Sequence, residues 1–500
     1  MDRKLFRLIM AEQTELQGFI GGSYPTQATA FDSERSINLQ PAPGTQSTKS
    51  QLMLIGTPGL DLLSNISNSP IRGIHQVNNF WYIITGDQVW QLDLGLTFIQ
   101  ATGTLNTSGG LVSMAHNNNS QLCIVDGQNI YICTTGTLIP ALTTITNYTD
   151  TPFDVIPKPS SVCFLGQYFI VSLLDSQEFI WSNVNDGTLW NTLDFESAAN
   201  SPDPLVAVAA SNGYLYLLGS DSTEIWTTNP TQQVIGGLTI IFPFNYTGSI
   251  IPFGLAGANA VANINNGLMW LTGTTSTSPH IIFTQGAQEQ ILSTPGIEQL
   301  IGSYGNFSNA FSMVSHLRGG EIFILSFPNN DSTICFDFQT KMFHERSYYN
   351  GQTWLPSCIA SFGTNVEIAG DRTTGNIYYL DPDVYTDNGD PIVRTRITPH
   401  FATSDDYNYC YELLILMEPG VGNTNPPGDD PVATIECSTD YGHTFGNQRA
   451  EKIGKKGKYR TRVQWHRFGR GRDFVFKFIC AEPVKVCLIK AFAEFESGIN

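Results

Sequence analysis

Residues 71–86 read IRGIHQVNNFWYIITG: a short alternating strand, a turn at Asn78 and Asn79, and a second strand of aromatic and β-branched residues. Asn tolerates the positive φ of tight turns, and bulky β-formers suit a half-buried pleated surface, so the stretch predicts a β-hairpin. It decides the fold because it recurs. Related stretches are LVSMAHNNNSQLCIVDG from Leu111, SSVCFLGQYFIVSLLD from Ser160, LVAVAASNGYLYLLGS from Leu205, NAVANINNGLMWLTG from Asn259, AFSMVSHLRGGEIFILSF from Ala310 and PSCIASFGTNVEIAGD from Pro356. Taken at the residues before each turn (His75, His116, Phe164, Ala210, Ile264, His316, Phe362), the spacings are 41, 48, 46, 54, 52 and 46 residues.

Most units continue with a third strand, as in DQVWQLD (87–93), QEFIWSN (177–183) and GNIYYLD (375–381), and leave room for a fourth. Four antiparallel strands in forty-odd residues make a propeller blade, and blades must stack because one sheet cannot bury both its faces. Trp81, Trp90, Trp181, Trp226 and Trp270 are then inter-blade packing. The low share of charged residues, 14%, suits many short strands joined by tight turns.

The chain changes character at 383–408. Longer alternating runs follow, with a Gly/Pro-rich loop at 419–431 and then STDYGHTF at 438–445. Ser438, Asp440, Gly442 and Thr444 match the Asp-box hairpin, a turn staple without catalytic role. The remaining strands predict a β-sandwich-like second domain. The expected fold is thus all-β: a six- or seven-bladed β-propeller plus this sandwich, with an N-terminal arm over 1–65, the propeller over 66–390 and the C-terminal domain over 391–500.

Net charge is −18, but residues 449–490 hold 13 of the 26 Lys and Arg against three acids, so this segment is +10 and the rest −28. Its densest part, KKGKYRTRVQWHRFGRGR, offers Lys455, Lys456, Lys458, Arg460, Arg462, Arg467, Arg470 and Arg472 as a basic row facing a partner or DNA. Alternation places Arg460, Arg462, Gln464 and His466 on one strand face and Tyr459, Thr461, Val463 and Trp465 on the other. That pattern favours an acidic protein partner over phosphates.

Motifs for catalysis are missing. IGKKGKY lacks the upstream glycine and the hydroxyl of a phosphate loop, there is no HExxH, GxSxG or EF-hand loop, and the eight histidines are scattered. No catalytic, cofactor or metal residue is assigned, and no enzyme is expected. The nine cysteines contain no CxxC and read as reduced core residues. No run of about 18 apolar residues occurs, so no membrane span is expected. The basic start is not a secretion signal, Met10 before AEQTE offers a second start beside Met1, and triplets such as Asn147-Tyr148-Thr149 and Asn245-Tyr246-Thr247 are incidental.

Residues 36–60, SINLQPAPGTQSTKSQLMLIGTPGL, are too regular for a linker and carry only Lys49 as a charge. With the ERSINLQP lead and TPGL exit, they resemble the start of the packaged-DNA stabilization proteins of short-tailed bacteriophages, the tail hub or nozzle family. The run from MEPGVG to RGRDFVFKF is similar to that family as well. The resemblance implies a homohexameric ring below the portal and adaptor protein that lines and closes the DNA exit channel, in contact with tail tip, fibre or tailspike proteins. It further implies a virion protein made in the host cytoplasm, whose residues before about 65 join the C-terminal domain in a platform. Six copies would carry about −108 charges, a wall of like sign to double-stranded DNA. Two other readings compete. A sialidase-like enzyme would need an Arg triad, and 66–385 holds only Arg72, Arg318, Arg346 and Arg372; a receptor- or glycan-binding virion propeller could use aromatics such as those of HERSYYNGQTW (344–354).

Overall fold

A computed structural model gives the structure and describes residues 13–497 other than 27, 46, 147–157, 236–237, 274–277 and 402–405. Met10 and Asn147-Tyr148-Thr149 lie outside the described residues. The fold is all-β. Six blades are four consecutive antiparallel strands paired in chain order, as in blade 1 with Ile71–Val77, Phe80–Thr85, Gln88–Asp93 and Phe98–Gln100. The predicted turns carry positive φ at Asn78, Gln167, Asn212 and Asn265, as such tight connections demand.

Blade 7 is built differently. Pro356–Ser361, Glu367–Asp371 and Asn376–Asp381 supply three strands, and the fourth is Gly59–Asn65, brought from the start of the chain and antiparallel to Asn376–Asp381. This strand falls inside the 1–65 span that the sequence reading gives to the arm. Pairing the two ends of the propeller stretch closes the ring. Apolar clusters then fill the gaps between blades. Val77, Tyr82 and Ile84 of blade 1 meet Leu122, Ile124 and Tyr131 of blade 2, while Ile71, Trp81 and Ile83 meet Ile368 and Ile377 of blade 7. Trp81 lies 4.5 Å from the Phe362 ring and donates to the Ser361 carbonyl at 2.7 Å.

The blade 6 sheet continues past its fourth strand, Met342–Arg346. Arg35–Ile37 pairs parallel to it, followed by Arg394–Ile397, Val475–Cys480, Val432–Ser438 and Arg449–Lys452, so nine strands run from propeller into sandwich. Facing this sheet are Leu39–Pro43, Leu52–Gly56, Cys487–Ser497, Asn408–Met417 and Val463–Gly471 in that order, with Gln13–Glu15 beside Cys487–Ser497. Leu39, Leu54, Leu413, Ile415 and Trp465 pack there with Ile435, Phe476 and Phe478. The turn-rich 36–60 stretch is therefore a sandwich hairpin, then an elbow at Thr57-Pro58, then the entrance to blade 7. A Cβ on Gly59 would fall 2.4 Å from the Thr386 carbonyl oxygen, so only glycine passes this crossing.

Candidate functional site

The first strands of all seven blades surround an axial cavity of about 990 Å³. Small residues such as Gly73, Ser113, Ala209, Ala262 and Ser357 line it, and none of its lining residues is a carboxylate. At one mouth His75 Nε2 lies 2.8 Å from His116 Nδ1. Desolvation lowers the His75 pKa to about 4, helped by the neighbouring imidazole, so the pair is neutral and shares one hydrogen bond. Among the described residues no group of three or more His, Cys, Asp or Glu side chains could hold a metal ion. All nine cysteines are free, and burial raises those of the blades, Cys335 to about 12. No helix among the described residues is long and apolar enough to cross a membrane.

The arginines of the propeller act as braces. Arg72 is buried and donates to the Gly86, Gly110 and Thr107 carbonyls, tying blade 1 to the loop that leads into blade 2. Arg318, at φ +57, reaches the Gly56 and Pro382 carbonyls. Arg346 donates to Pro58 and covers the Trp354 ring at 3.7 Å. Trp354 is buried beneath it, so that aromatic of the 344–354 stretch is not free for sugar stacking.

Sequence reasoning passed over the arginines that matter most to the join. Arg396 is fully buried and donates to the Gly18, Phe19 and Gly22 carbonyls, to Ser36 Oγ and to Glu34. Arg394 is equally buried and donates to the Glu482 backbone carbonyl, and Arg35 pairs with Glu345 across the blade 6 boundary. The only sequence signal is the alternation of RTRI at 394–397, which looks like any strand with an exposed basic face.

At the Asp-box, Asp440 is the hub. Its carboxylate accepts from Ser438 Oγ at 2.7 Å, Thr444 N at 2.9 Å and Thr444 Oγ1 at 2.6 Å, while Gly442 N donates to Ser438 Oγ. These bonds hold Asp440 well below the usual carboxylate range.

The basic row divides into groups. Lys455 lies 3.6 Å from Asp430, and Lys456 donates to Thr424 Oγ1. Lys458, Arg460 and Arg462 stand exposed in the loop before the strand. Arg470 and Arg472 stack on the Tyr407 ring at 3.9 and 4.7 Å. Two features depart from the simple alternation. Residues 459–462 are turn rather than strand, so Tyr459 is exposed instead of facing the core, and Arg467 at φ +66 resets the register so that Phe468 is buried. Val463 and Trp465 do face inward.

A closed propeller whose rim strand runs into a sandwich, pinned at the join by buried arginines, defines an all-β propeller–sandwich protein. Family models place it further: one described as Bacteriophage P22 Gp10, beta-propeller matches residues 17–385, and one described as Bacteriophage P22 Gp10, beta-sandwich matches 394–496. The chain belongs to this family and is a structural protein of the phage tail. No curated protein matches the chain. Solved structures similar to it include "Structure of U3-55K" at 12% identity and TM-score 0.39, covering 65% of this chain and 99% of that one. Another is the Cps50 (Swd1) propeller of Myceliophteria thermophila at 10% identity and TM-score 0.40, covering 64% and 98%.

Proposed function

We propose that the chain is the nozzle, or hub, of a short phage tail. Six copies form a ring below the portal and adaptor, line and close the exit channel, retain the packaged genome and pass it at ejection. The observation that carries this reading is the match of both family models, in order, over nearly the whole chain. Tail tip and fibre or tailspike proteins are its further partners, DNA is a transient occupant, and the chain is made in the host cytoplasm before joining the virion. The net charge of −18 per copy supports a wall that gives the duplex few places to adhere. A channel lined mostly by Lys and Arg would sink that last point.

Native mass spectrometry and low-resolution electron microscopy test the proposal on the full chain, alone and mixed with the portal–adaptor complex. Six added copies around an axial tube are expected. A chain that ignores the complex and binds glycans or cells overturns the nozzle in favour of a receptor-binding propeller.

A further inference from the structure

We infer that neighbouring copies of this chain meet head to tail, the basic outer edge of one sandwich seated on the acidic, apolar loop face of the next copy's propeller. This rests on the ring reading above. Chain order within a blade puts the turns between first and second strands and between third and fourth strands on the same propeller face. Hydrogen bonds between neighbouring blades at this face agree: Gln91 Nε2, near the end of a third strand, donates to the Thr137 carbonyl at 3.3 Å, and Asn117 Nδ2 to the Asn185 carbonyl at 3.2 Å.

On that face the third-to-fourth turns of blades 1, 2 and 3 present Leu94, Leu96, Leu138, Ile139 and Val184 to solvent, with Leu94 61% and Leu138 84% exposed. Exposed apolar tips on three adjoining blades mark an interaction surface. The equivalent turn of blade 6 is polar, Gln339-Thr340-Lys341. Charge around the patch has one sign. At the turns of blades 1 to 3 on this face stand the carboxylates Asp93 and Asp186, and these turns contain no Lys or Arg.

The complementary surface is on the sandwich. Lys458, Arg460 and Arg462 are exposed and in no ion pair among the described residues, and Tyr459 between them is 72% exposed. An aromatic set among arginines is the composition that dominates binding energy at interfaces. These residues follow Arg449–Lys452, five strands out from the last strand of blade 6 and so about 24 Å away at ~4.8 Å per strand. Blades 2 and 3 lie across the ring from blade 6. The two surfaces therefore sit at opposite ends of one molecule and pair only between copies, which is a heterologous contact of the kind that closes into rings. A lipid surface fits less well, because anionic headgroups repel a face so short of Lys and Arg.

Two variants separate the surfaces: Leu138→Glu with Ile139→Glu, and Tyr459→Ala with Arg460→Glu and Arg462→Glu. All five positions avoid the core, and circular dichroism with thermal unfolding checks that each variant is folded. Self-association is read by native mass spectrometry across a wide concentration range, alone and on the portal–adaptor complex. Each variant alone is expected to associate at least about a hundredfold more weakly than the unaltered chain, since each set removes a central anchor. Mixed together they should form dimers and stop, because each retains one intact surface. Rings that both variants still form, or a mixture without dimers, overturn this interface and leave the ring standing. An unaltered chain that never assembles in either setting overturns the ring reading as well.

Discussion

Blades 1 to 5 and the seam where blades 6 and 7 meet the sandwich are held by different physics. In the blades, repeated hairpins stack apolar faces, as with Phe179, Trp181 and Trp226 between blades 3 and 4, and strand pairing stays within each sheet, with single bonds such as Gln91 to the Thr137 carbonyl crossing between blades. At the seam, connections at residues 18–22, Pro58 and Pro382 leave backbone carbonyls that need donors. Arginines supply them. A guanidinium carries five N–H donors in a fixed fork, so one side chain such as Arg396 can satisfy several crossing backbones at once. Repetition makes a ring, and joining a ring to a different fold requires long-range polar pins.

The largest test of that contrast removes the strand both regions share. A chain starting at Ile66 leaves blade 7 with three strands, uncovers Tyr378 and Leu380, and deprives the sandwich of Leu39 and Leu54. The expected result is loss of cooperative folding, read as no thermal transition in near-ultraviolet circular dichroism. A 66–385 fragment that melts like the full chain would show instead that the N-terminal strand is an accessory. Next in size is Arg396→Met, which strands Glu34 and three carbonyls in the interior and should cost about 3–5 kcal/mol in urea unfolding. Arg396→Lys should recover little, because a single ammonium cannot reach partners on both Gly18 and Gly22. Near-full stability in the lysine variant would mean that charge, not the fork, pins the segment.

Repetition is also why one region was legible in the sequence and the other was not. Seven hairpins with their third strands stand out from periodicity alone, and the blades follow. The closure by Gly59–Asn65 was not visible, since LDLLSN reads like any short strand and its partner lies more than 300 residues away. The braces were hidden for a related reason. Arg394 and Arg396 alternate with Thr395 as surface residues do, and their burial depends on a sheet continuing from blade 6 into the sandwich. In the basic row, the inward Val463 and Trp465 were readable from period two, whereas the turn at 459–462 and the positive φ at Arg467 broke the period on either side.

Smaller effects sharpen the comparison. Within the blades, Trp81→Phe keeps the ring against Phe362 but drops the bond to Ser361, and should cost about 1–3 kcal/mol. Its loss should lower the melting temperature without changing the cooperativity of unfolding. A separate transition for the propeller in that variant would mean that the ring and the sandwich unfold independently.

The finest test uses pH, because the seam buries titratable groups of both signs. His344 sits beside Arg346 next to a cavity of about 10 Å³, room for one water, and its Nδ1 has no hydrogen-bond partner. Burial first, then the arginine, depress it from 6.5 to about 3. The unfolded chain thus takes this proton first, so its contribution is intact above pH 6.5 and is lost as pH falls toward 3. Asp387 runs the other way. Burial outweighs Arg346 and Arg394 and raises it from 3.8 to about 6, so the native state binds its proton more tightly and gains stability as pH falls through that window. His344→Gln should flatten the acid-side loss of stability and Asp387→Asn should steepen it, both measured by urea unfolding between about pH 3.5 and 7. Equal slopes in both variants would mean that acid acts on the carboxylates of the blades, and that the seam is no more sensitive to protons than the repeats it holds.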